Sequence, residues 1–371
     1  MRGDPRNPSI SRIAAEAGVS RAAVSLALRK HPRISAATRE RIETIAKRLG
    51  WRPNPLLAQA MTALRAGQPS LEKVTLAWVT MYERRDGWKS ISFFKRSHDG
   101  AVERARSTGY SLEHFWLGDA NGRLDRLSQI LYTRGITGLI LAPLPQPGRI
   151  ELEWDRFACA AVGLSIDAPR LHRVVDNHNA SIRAAVLRLQ LGGCKRIGFV
   201  IDRKFDQRMH GKLTSGYFWQ MNDTGKFIPE LMHRPDKLGE DGFARWVREA
   251  KPDAIISGQP EVPGWLKGLG LRAPDDLAYV SLDLPSDDGS ATGIYQDPEA
   301  VGACAVDTVA GQLIRHERGL PLKPRTVLVD GRWVEGATTL DGPNRDDAVE
   351  AARSILANRG NPETVVPGAL D

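Results

Sequence analysis

Cysteine is scarce and scattered. The 371-residue chain has three, Cys159, Cys194 and Cys304, far apart and each set in an apolar or small-residue stretch. With no CxxC spacing, a disulfide scaffold, a zinc site and a thiol nucleophile all give way to buried free thiols in a reducing compartment. No run approaches the roughly 18 consecutive apolar residues of a membrane span. The opening MRGDPRNPSISRIA also lacks the apolar core of a secretory signal, so the expected location is the cytoplasm with no membrane partner. Catalytic signatures are missing too: there is no G-x-G-x-x-G after a strand, no Walker A, no G-x-S-x-G elbow and no H-E-x-x-H. The eight histidines are scattered, and the pairs Asp275-Asp276, Asp287-Asp288 and Asp346-Asp347 fall in turn-like stretches. No residue stands out as catalytic and no cofactor is expected, which argues against an enzyme.

What is present is unevenly placed. Residues 1–68 hold 13 Lys+Arg against 4 Asp+Glu, whereas the rest of the chain holds 39 against 40. Counterion release needs basic groups gathered on one phosphate-facing surface, so this basic head points to a polyanion, with a merely solvated face as the bland alternative. Residues 9–54 read as three short helices. Ser9 and Ser11 suit caps for the first, where Ile13, Ala14 and Ala17 share one face. Gly18 ends it in a left-handed turn, Val19 packs inward, Ser20 caps the second helix, and Val24 and Leu28 point back at the first. Ser35 caps a third helix carrying Thr38, Ile42, Ile45, Ala46 and Leu49. The spacing fits a helix-turn-helix, whose second helix enters the major groove with its N-terminal residues at the base edges. There Arg21 can donate bidentately to guanine and Ala22 can touch a thymine methyl, while Ser20, Ser25, Arg29, Ser35, Thr38 and Asn54 suit phosphate oxygens. Each Ser and Thr has plain helix capping as its alternative.

The segments GVSRAAVSLAL, RISAATRERI and LGWRPNP resemble the lactose-repressor (LacI/GalR) family of bacterial transcription regulators, and the resemblance runs from about Ser9 to Thr339. It implies a homodimeric repressor on a pseudo-palindromic double-stranded operator, controlled by a small-molecule effector such as a carbohydrate or derivative. Trp51 takes the family's usual aromatic position, either in the core or on a phosphate. The stretch LLAQAMTALRAGQPS is too short for a stable isolated helix. The resemblance implies a hinge helix that folds on the operator and wedges a leucine into the minor groove. Here Ala60 stands at the wedge position with Met61 beside it. Either Met61 inserts, or the kink is shallower, or Leu56, Leu57 and Met61 pack between two hinges.

Beyond Leu71, short apolar runs alternate with amphipathic stretches. Strands are expected at Val74–Thr80, Tyr110–Trp116, Ile136–Ala142, Ala158–Gly163, Arg173–Asp176, Arg196–Ile201, Ala254–Ser257 and Leu277–Asp283, and helices at Phe93–Thr108, Arg123–Arg134, Asn179–Leu191 and Phe243–Glu249. Alternation of this kind gives parallel sheets covered on both faces, and two such sets give two lobes with a ligand cleft between them. The fold class is therefore α/β: an all-α helix-turn-helix headpiece, 1–54, a hinge, 55–70, and a two-lobed body, 71–340. The segment beginning DNHNASIRAAVLRLQLGG is similar to the family's effector domain, which is periplasmic-binding-protein-like and crosses between lobes three times. By that resemblance the N-lobe is 73–171 with 297–325 and the C-lobe 172–296 with 326–340. Val301, Ala305, Thr308, Val309 and Leu313 form an apolar helical stripe for core or dimer packing. Residues 341–371 have one short helical patch, Val349–Leu356, and no leucine heptads, so a loose tail is expected.

In the cleft the resemblance thins. Sugar-sensing relatives carry an Asn-Asp pair where this chain reads Gly258-Gln259, and Lys212 or Leu213 stands where a cleft arginine is expected. Asp283 and Gln296 fall at matching positions and Asp176 at a cleft edge, with Thr80 and Tyr82 on the loop after the first strand. The candidate effector residues are thus Thr80, Tyr82, Asp176, Lys212, Gln259, Asp283 and Gln296, although Asp283 and Asp176 could equally cap local structure and Lys212 could be solvated. Losing several fixed donors and acceptors weighs against an ordinary hexose. Two rivals remain: a DNA-binding regulator with a vestigial cleft, and a solute-binding protein without a DNA role.

Overall fold

The computed structural model describes residues 10–28, 34–49, 74–339 and 345–357. The chain divides into two compact units, Met1–Glu72 and Lys73–Asp371.

In the first unit, helices α1 (Ile10–Ala17), α2 (Arg21–Leu28) and α3 (Ala36–Arg48) enclose a small core. Ile13, Val24, Ala27 and Ile42 are fully buried there, with Ala14, Ala17 and Ala46 beside them and Val19, Leu28, Ile45 and Leu49 packed around. Small residues at 14 and 17 let the helices approach closely. Gly18 adopts φ +62°, a conformation that penalises any Cβ, and Val19 N–H donates back to Ala14 O at 3.1 Å to close the turn. Ser20 Oγ accepts from Ala23 N–H at 3.1 Å and Ser35 Oγ from Thr38 N–H at 3.3 Å, so both serines cap as their positions suggest. Ser11 differs from expectation, because the helix has already begun at Ile10. Arg48 ties α3 to α1 through Glu16 at 2.6 Å.

The second unit holds two six-stranded sheets. Strands β1 (Val74–Thr80), β2 (Tyr110–Trp116), β3 (Gly138–Leu141), β5 (Ala158–Val162), β7 (His172–Asp176) and β13 (Thr326–Val329) form the first, all parallel, in the order β13-β7-β5-β3-β1-β2. The short pair β4 (Gly148–Arg149) and β6 (Ile166–Ala168) lies apart from it. Strands β8 (Ile197–Val200), β9 (Met232–His233), β10 (Ala254–Ser257), β11 (Ala278–Ser281), β12 (Gly293–Tyr295) and β14 (Arg332–Val334) form the second, in the order β14-β12-β11-β10-β8-β9, with only β14 antiparallel. Helices α4 (Ser92–Ser107), α5 (Leu124–Thr133), α6 (His178–Leu191), α7 (Arg203–Arg208), α8 (Lys212–Asp223), α9 (Glu240–Ala250), α10 (Val262–Gly268), α11 (Pro298–Ile314) and α12 (Arg345–Leu356) complete the body.

The period of two along β1 shows how each face is filled. Leu76 and Trp78 pack with Ala101 and Ala105 of α4 and Val301, Ala305, Val306 and Val309 of α11, whereas Ala77 and Val79 pack on the opposite face with Leu127 and Leu131 of α5. The expected 301–309 stripe is therefore sheet packing within the chain. Helices α4 and α11 touch backbone to backbone, because Gly302 lies where any Cβ would fall on the Ser97 carbonyl.

Three expectations need correction. Strands β7 and β13 pair in the first sheet, so the chain crosses between lobes after Asp176 and after Val329, later than 171 and 325. Strand β13 is an exposed edge whose TVLV shows no one-sided pattern, which hid it. The described part of the tail is not loose: α12 buries Val349, Ala352 and Leu356 in the same core as Ala185, Val186 and Leu189 of α6, because those positions recur at helical spacing. Of the thiols, Cys159 is buried, while Cys194 and Cys304 are only partly so.

Leu356, 3% exposed, anchors that tail helix. Leu356→Ala is expected to destabilise the body by about 2–5 kcal/mol in urea unfolding. A loss below about 0.5 kcal/mol, the usual range for an exposed position, would place α12 off the core.

Candidate functional site

The main cavity, about 350 Å³, lies between the lobes and is built from the segments that follow the carboxyl ends of the strands. Tyr82 follows β1, Pro143 and Pro145 follow β3, Leu164 and Ser165 follow β5, and Asp176 ends β7. From the second sheet come Phe205, Arg208 and Met209 after β8, Gly258 after β10, Leu282 and Asp283 after β11, and Gln296 after β12. Ile91, Phe93 and Phe94 close one wall. Loops at strand carboxyl ends are where doubly wound sheets receive ligands, and the volume suits a small metabolite. A second hollow of about 250 Å³ sits near Arg188 and Asp253 at the amino ends of β8, β10 and β11. Its arginine, Arg188, is already held by Glu335 at 2.8 and 3.3 Å.

Of the seven residues expected to bind effector, Tyr82, Asp176, Asp283 and Gln296 line the cleft, and Thr80, Lys212 and Gln259 do not. Thr80 shares a strand face with Leu76 and Trp78, so its hydroxyl is buried and hydrogen-bonds His114 Nε2 at 2.7 Å. Lys212 opens α8 outside the cleft and Leu213 takes the lining position; Gly258 lines in place of Gln259.

Sequence reasoning missed the cleft's cations. Arg208, on the short α7, donates from Nη2 to Leu144 O at 2.6 Å and from Nη1 to Pro145 O at 2.9 Å, linking the second lobe to the first. The arginine that lines the cleft thus comes from an earlier helix than the Lys212–Leu213 position. Its helix is held by fully buried Asp206, which accepts from Thr214 at 2.8 Å and Arg234 at 2.7 Å. The signal was available, since any residue soon after a strand's carboxyl end is a cleft candidate, but α7 is too short for a periodicity. Arg96 of α4 makes a reciprocal bridge, donating to Pro285 O at 2.9 Å and to Glu299 at 2.8 and 3.1 Å while lying 4.5 Å from the Tyr295 ring.

Asp176, His178 and Asp283 form the ionisable centre. His178 Nδ1 lies 2.7 Å from Asp176 Oδ2, with both side chains nearly buried. Asn177, not Asp176, caps α6 by accepting from Ala180 N–H at 3.2 Å. Burial alone would lower the His178 pKa, but the carboxylates of Asp176 and Asp283 outweigh it and the net shift is upward. The Asp283 side chain is exposed to the cleft's water, although protein crowds around it. Burial first, and the negative charge of Asp176 second, push its carboxyl up to about 7. Because water reaches this group, the desolvation part acts in full only when a ligand fills the cleft.

In the headpiece, Arg21, Ala22 and Ser25 occupy the start of α2, immediately after the Ser20 cap. Ser35 and Thr38 form the cap of α3, joined by a 2.9 Å hydroxyl hydrogen bond. Arg29, Trp51, Asn54, Ala60 and Met61 lie outside the described residues. Among the described residues no group of His, Cys, Asp and Glu could hold a metal ion, and no helix is long and apolar enough to cross a membrane.

Comparison with known proteins joins these two regions. Residues 9–54 match the bacterial regulatory proteins of the lacI family, and residues 188–339 match the periplasmic binding protein-like domain. Among curated relatives, the chain is 24% identical over 296 residues to the NTD biosynthesis operon regulator NtdR of Bacillus subtilis (strain 168), covering 74% of this chain and 82% of that one. It is 25% identical over 286 residues to the HTH-type transcriptional repressor CytR of Escherichia coli (strain K12), covering 73% and 78%. Similar solved structures include a transcriptional regulator CelR–cellobiose complex, at TM-score 0.54, 19% identity and 90% and 100% coverage. A lac repressor dimer bound to operator and the anti-inducer ONPF aligns at TM-score 0.53, 18% identity and the same coverage.

The raised Asp283 pKa has a thermodynamic consequence. Between its ordinary value of 3.8 and its raised value the folded chain keeps a proton that the unfolded chain has released, so this group's contribution to stability falls as pH rises through that window and is flat above it. The expected result is that Asp283→Asn gains thermal stability relative to the parent chain between pH 5 and pH 8. Parallel melting curves across that range would show the carboxyl to be unperturbed.

Proposed function

We propose that this chain, a lacI-family protein by its helix-turn-helix and its periplasmic-binding-protein-like body, is a cytoplasmic, non-enzymatic transcription regulator. It acts as a homodimeric repressor on a pseudo-palindromic operator under control of a small effector. The observation that carries this reading is the headpiece: three helices closed by Gly18 and capped at Ser20, with the α2 N-terminus bearing Arg21, in a segment of strong positive charge. Two such α2 helices, one per protomer, fit successive major grooves, Arg21 reading a guanine and Ser20, Ser25, Arg29, Ser35, Thr38 and Asn54 holding phosphates. Trp51 supports the exit from the headpiece, and Met61, beside Ala60, supplies the minor-groove wedge.

The open cleft favours effector control over a vestige. A cleft that had lost its ligand would be free to fill with side chains, whereas this one keeps its volume around Asp176, Asp283 and Gln296. The effector would change operator affinity by biasing the lobes, and operator binding would change effector affinity by the same factor.

Titrating labelled DNA from the chain's own upstream region with purified protein at several salt concentrations tests this. Affinity is expected to fall steeply with salt. Arg21→Ala should weaken operator binding by about 1–3 kcal/mol and relax preference at one base pair per half-site, while Arg29→Ala weakens all sequences alike. Salt-insensitive binding, or an unchanged sequence profile for the Arg21 variant, would refute the assignment.

A further inference from the structure

The chemistry left unsatisfied in the cleft narrows its ligand. Two cations line it: Arg208, which donates to the carbonyls of Leu144 and Pro145, and His178, which pairs with Asp176. Asp283 is different. Its carboxylate makes no ion pair or side-chain hydrogen bond among the described residues, and only Asp176, His178 and Arg96 act on it electrostatically. Arg96 is itself held by Glu299 and Pro285.

Three ligand types can be weighed against this arrangement. An anion would face Asp176 and Asp283, and Arg208, which has no carboxylate partner among the described residues, is turned toward two backbone carbonyls. A neutral polyol carries a hydroxyl on nearly every carbon and needs a matching donor or acceptor for each, or it loses hydrogen bonds on leaving water. Much of the wall here, Ile91, Phe94, Leu164, Phe205, Met209 and Leu213, provides neither. The remaining polar groups are partly committed, with Ser165 Oγ accepting from Leu144 N–H at 2.7 Å and Gln296 donating to Leu282 O at 2.7 Å. A protonated amine on a compact ring meets both features at once. Its nitrogen gives Asp283 the charge-assisted hydrogen bond it lacks, and its ring lies against the aromatic and aliphatic wall.

We propose that the cleft ligand is a small cationic amine, a ring-bearing primary amine, whose ammonium group pairs with Asp283 while the ring packs between Phe94 and Phe205. This rests on the reading of the cleft as the effector site and names the ligand's chemical class. The raised carboxyl pKa fits it, since desolvation and the Asp176 charge outweigh the support that His178 and Arg96 give the charged form.

Probes matched in shape and differing in charge test the idea on the full chain. The pair is 2-phenylethylamine against 2-phenylethanol, with phenylacetate as the anion. In calorimetric titration the amine is expected to bind about tenfold or more tighter than its neutral partner. Asp283→Asn, nearly isosteric and uncharged, should erase that difference, while a Lys267→Gln surface control keeps it. Absence of binding by the amine, equal or tighter binding of the neutral member, tighter binding of phenylacetate, or an amine preference that survives Asp283→Asn would each overturn the proposal. Operator affinity measured with the same probes separates the two readings. A neutral or anionic probe that binds and alters operator affinity removes the cation and leaves the sensor; a bound amine that never alters it removes the sensor and leaves the cation site.

Discussion

The central strands of the two body sheets are covered on both faces, so side chains along their length are committed to packing and only residues just past their carboxyl ends are free to meet a ligand. Tyr82, Leu164, Asp283 and Gln296 all follow strands in this way, and Asp176 ends one. Because every strand of the first sheet runs parallel, those ends gather along one edge; the same holds for the second sheet apart from β14. The cleft is where the two edges meet. Its position follows from topology, and its chemistry from a few residues that packing does not claim.

That constraint also explains what could be read from the sequence. Strands β1, β2 and β10 were legible to the residue, β1 and β10 as short largely apolar runs and β2 by its mixture of apolar and polar residues YSLEHFW. The headpiece was legible because Gly18, Ser20 and Ser35 are punctuation with local causes, a left-handed turn and two caps. Thr80 shows the limit. It lies on the last position of β1, where one step of register decides between the cleft and the interior, and the even positions 76, 78 and 80 all face inward. Arg208 was hidden for another reason: its partners are the backbone carbonyls of Leu144 and Pro145, more than 60 residues earlier, and no local pattern encodes a contact of that range. The tail helix α12 erred differently, since its apolar positions were visible but the surface of α6 that receives them was not.

Joining the lobes is a matter of small, specific bonds. Two of the crossing segments are tied side by side by Asn177, whose N–H donates to Val329 O at 2.8 Å and whose side-chain amide donates to Asp330 at 2.7 Å. Asn177 also caps α6, so the hinge, the helix and the Asp176–His178 pair share one short stretch of chain. A change of state at His178 therefore acts within two residues of a point where the lobes can pivot.

Bridging without a ligand sets the terms for control. Arg208 and Arg96 each reach from one lobe to backbone carbonyls of the other, so part of the free energy of closure is supplied by the protein itself. A ligand shifts the lobes only by as much as it prefers one arrangement over the other, however tightly it binds. Contacts with one lobe alone, such as Asp283, add affinity without adding control. Control has to come from groups that feel both lobes, and Arg208 is one, because it donates across the cleft and also moderates the burial-raised pKa of Tyr82 in the opposite wall. An effector that pairs with Asp283 on one lobe and packs beside Tyr82 on the other would therefore read the distance between lobes directly, through the bond that Arg208 already makes.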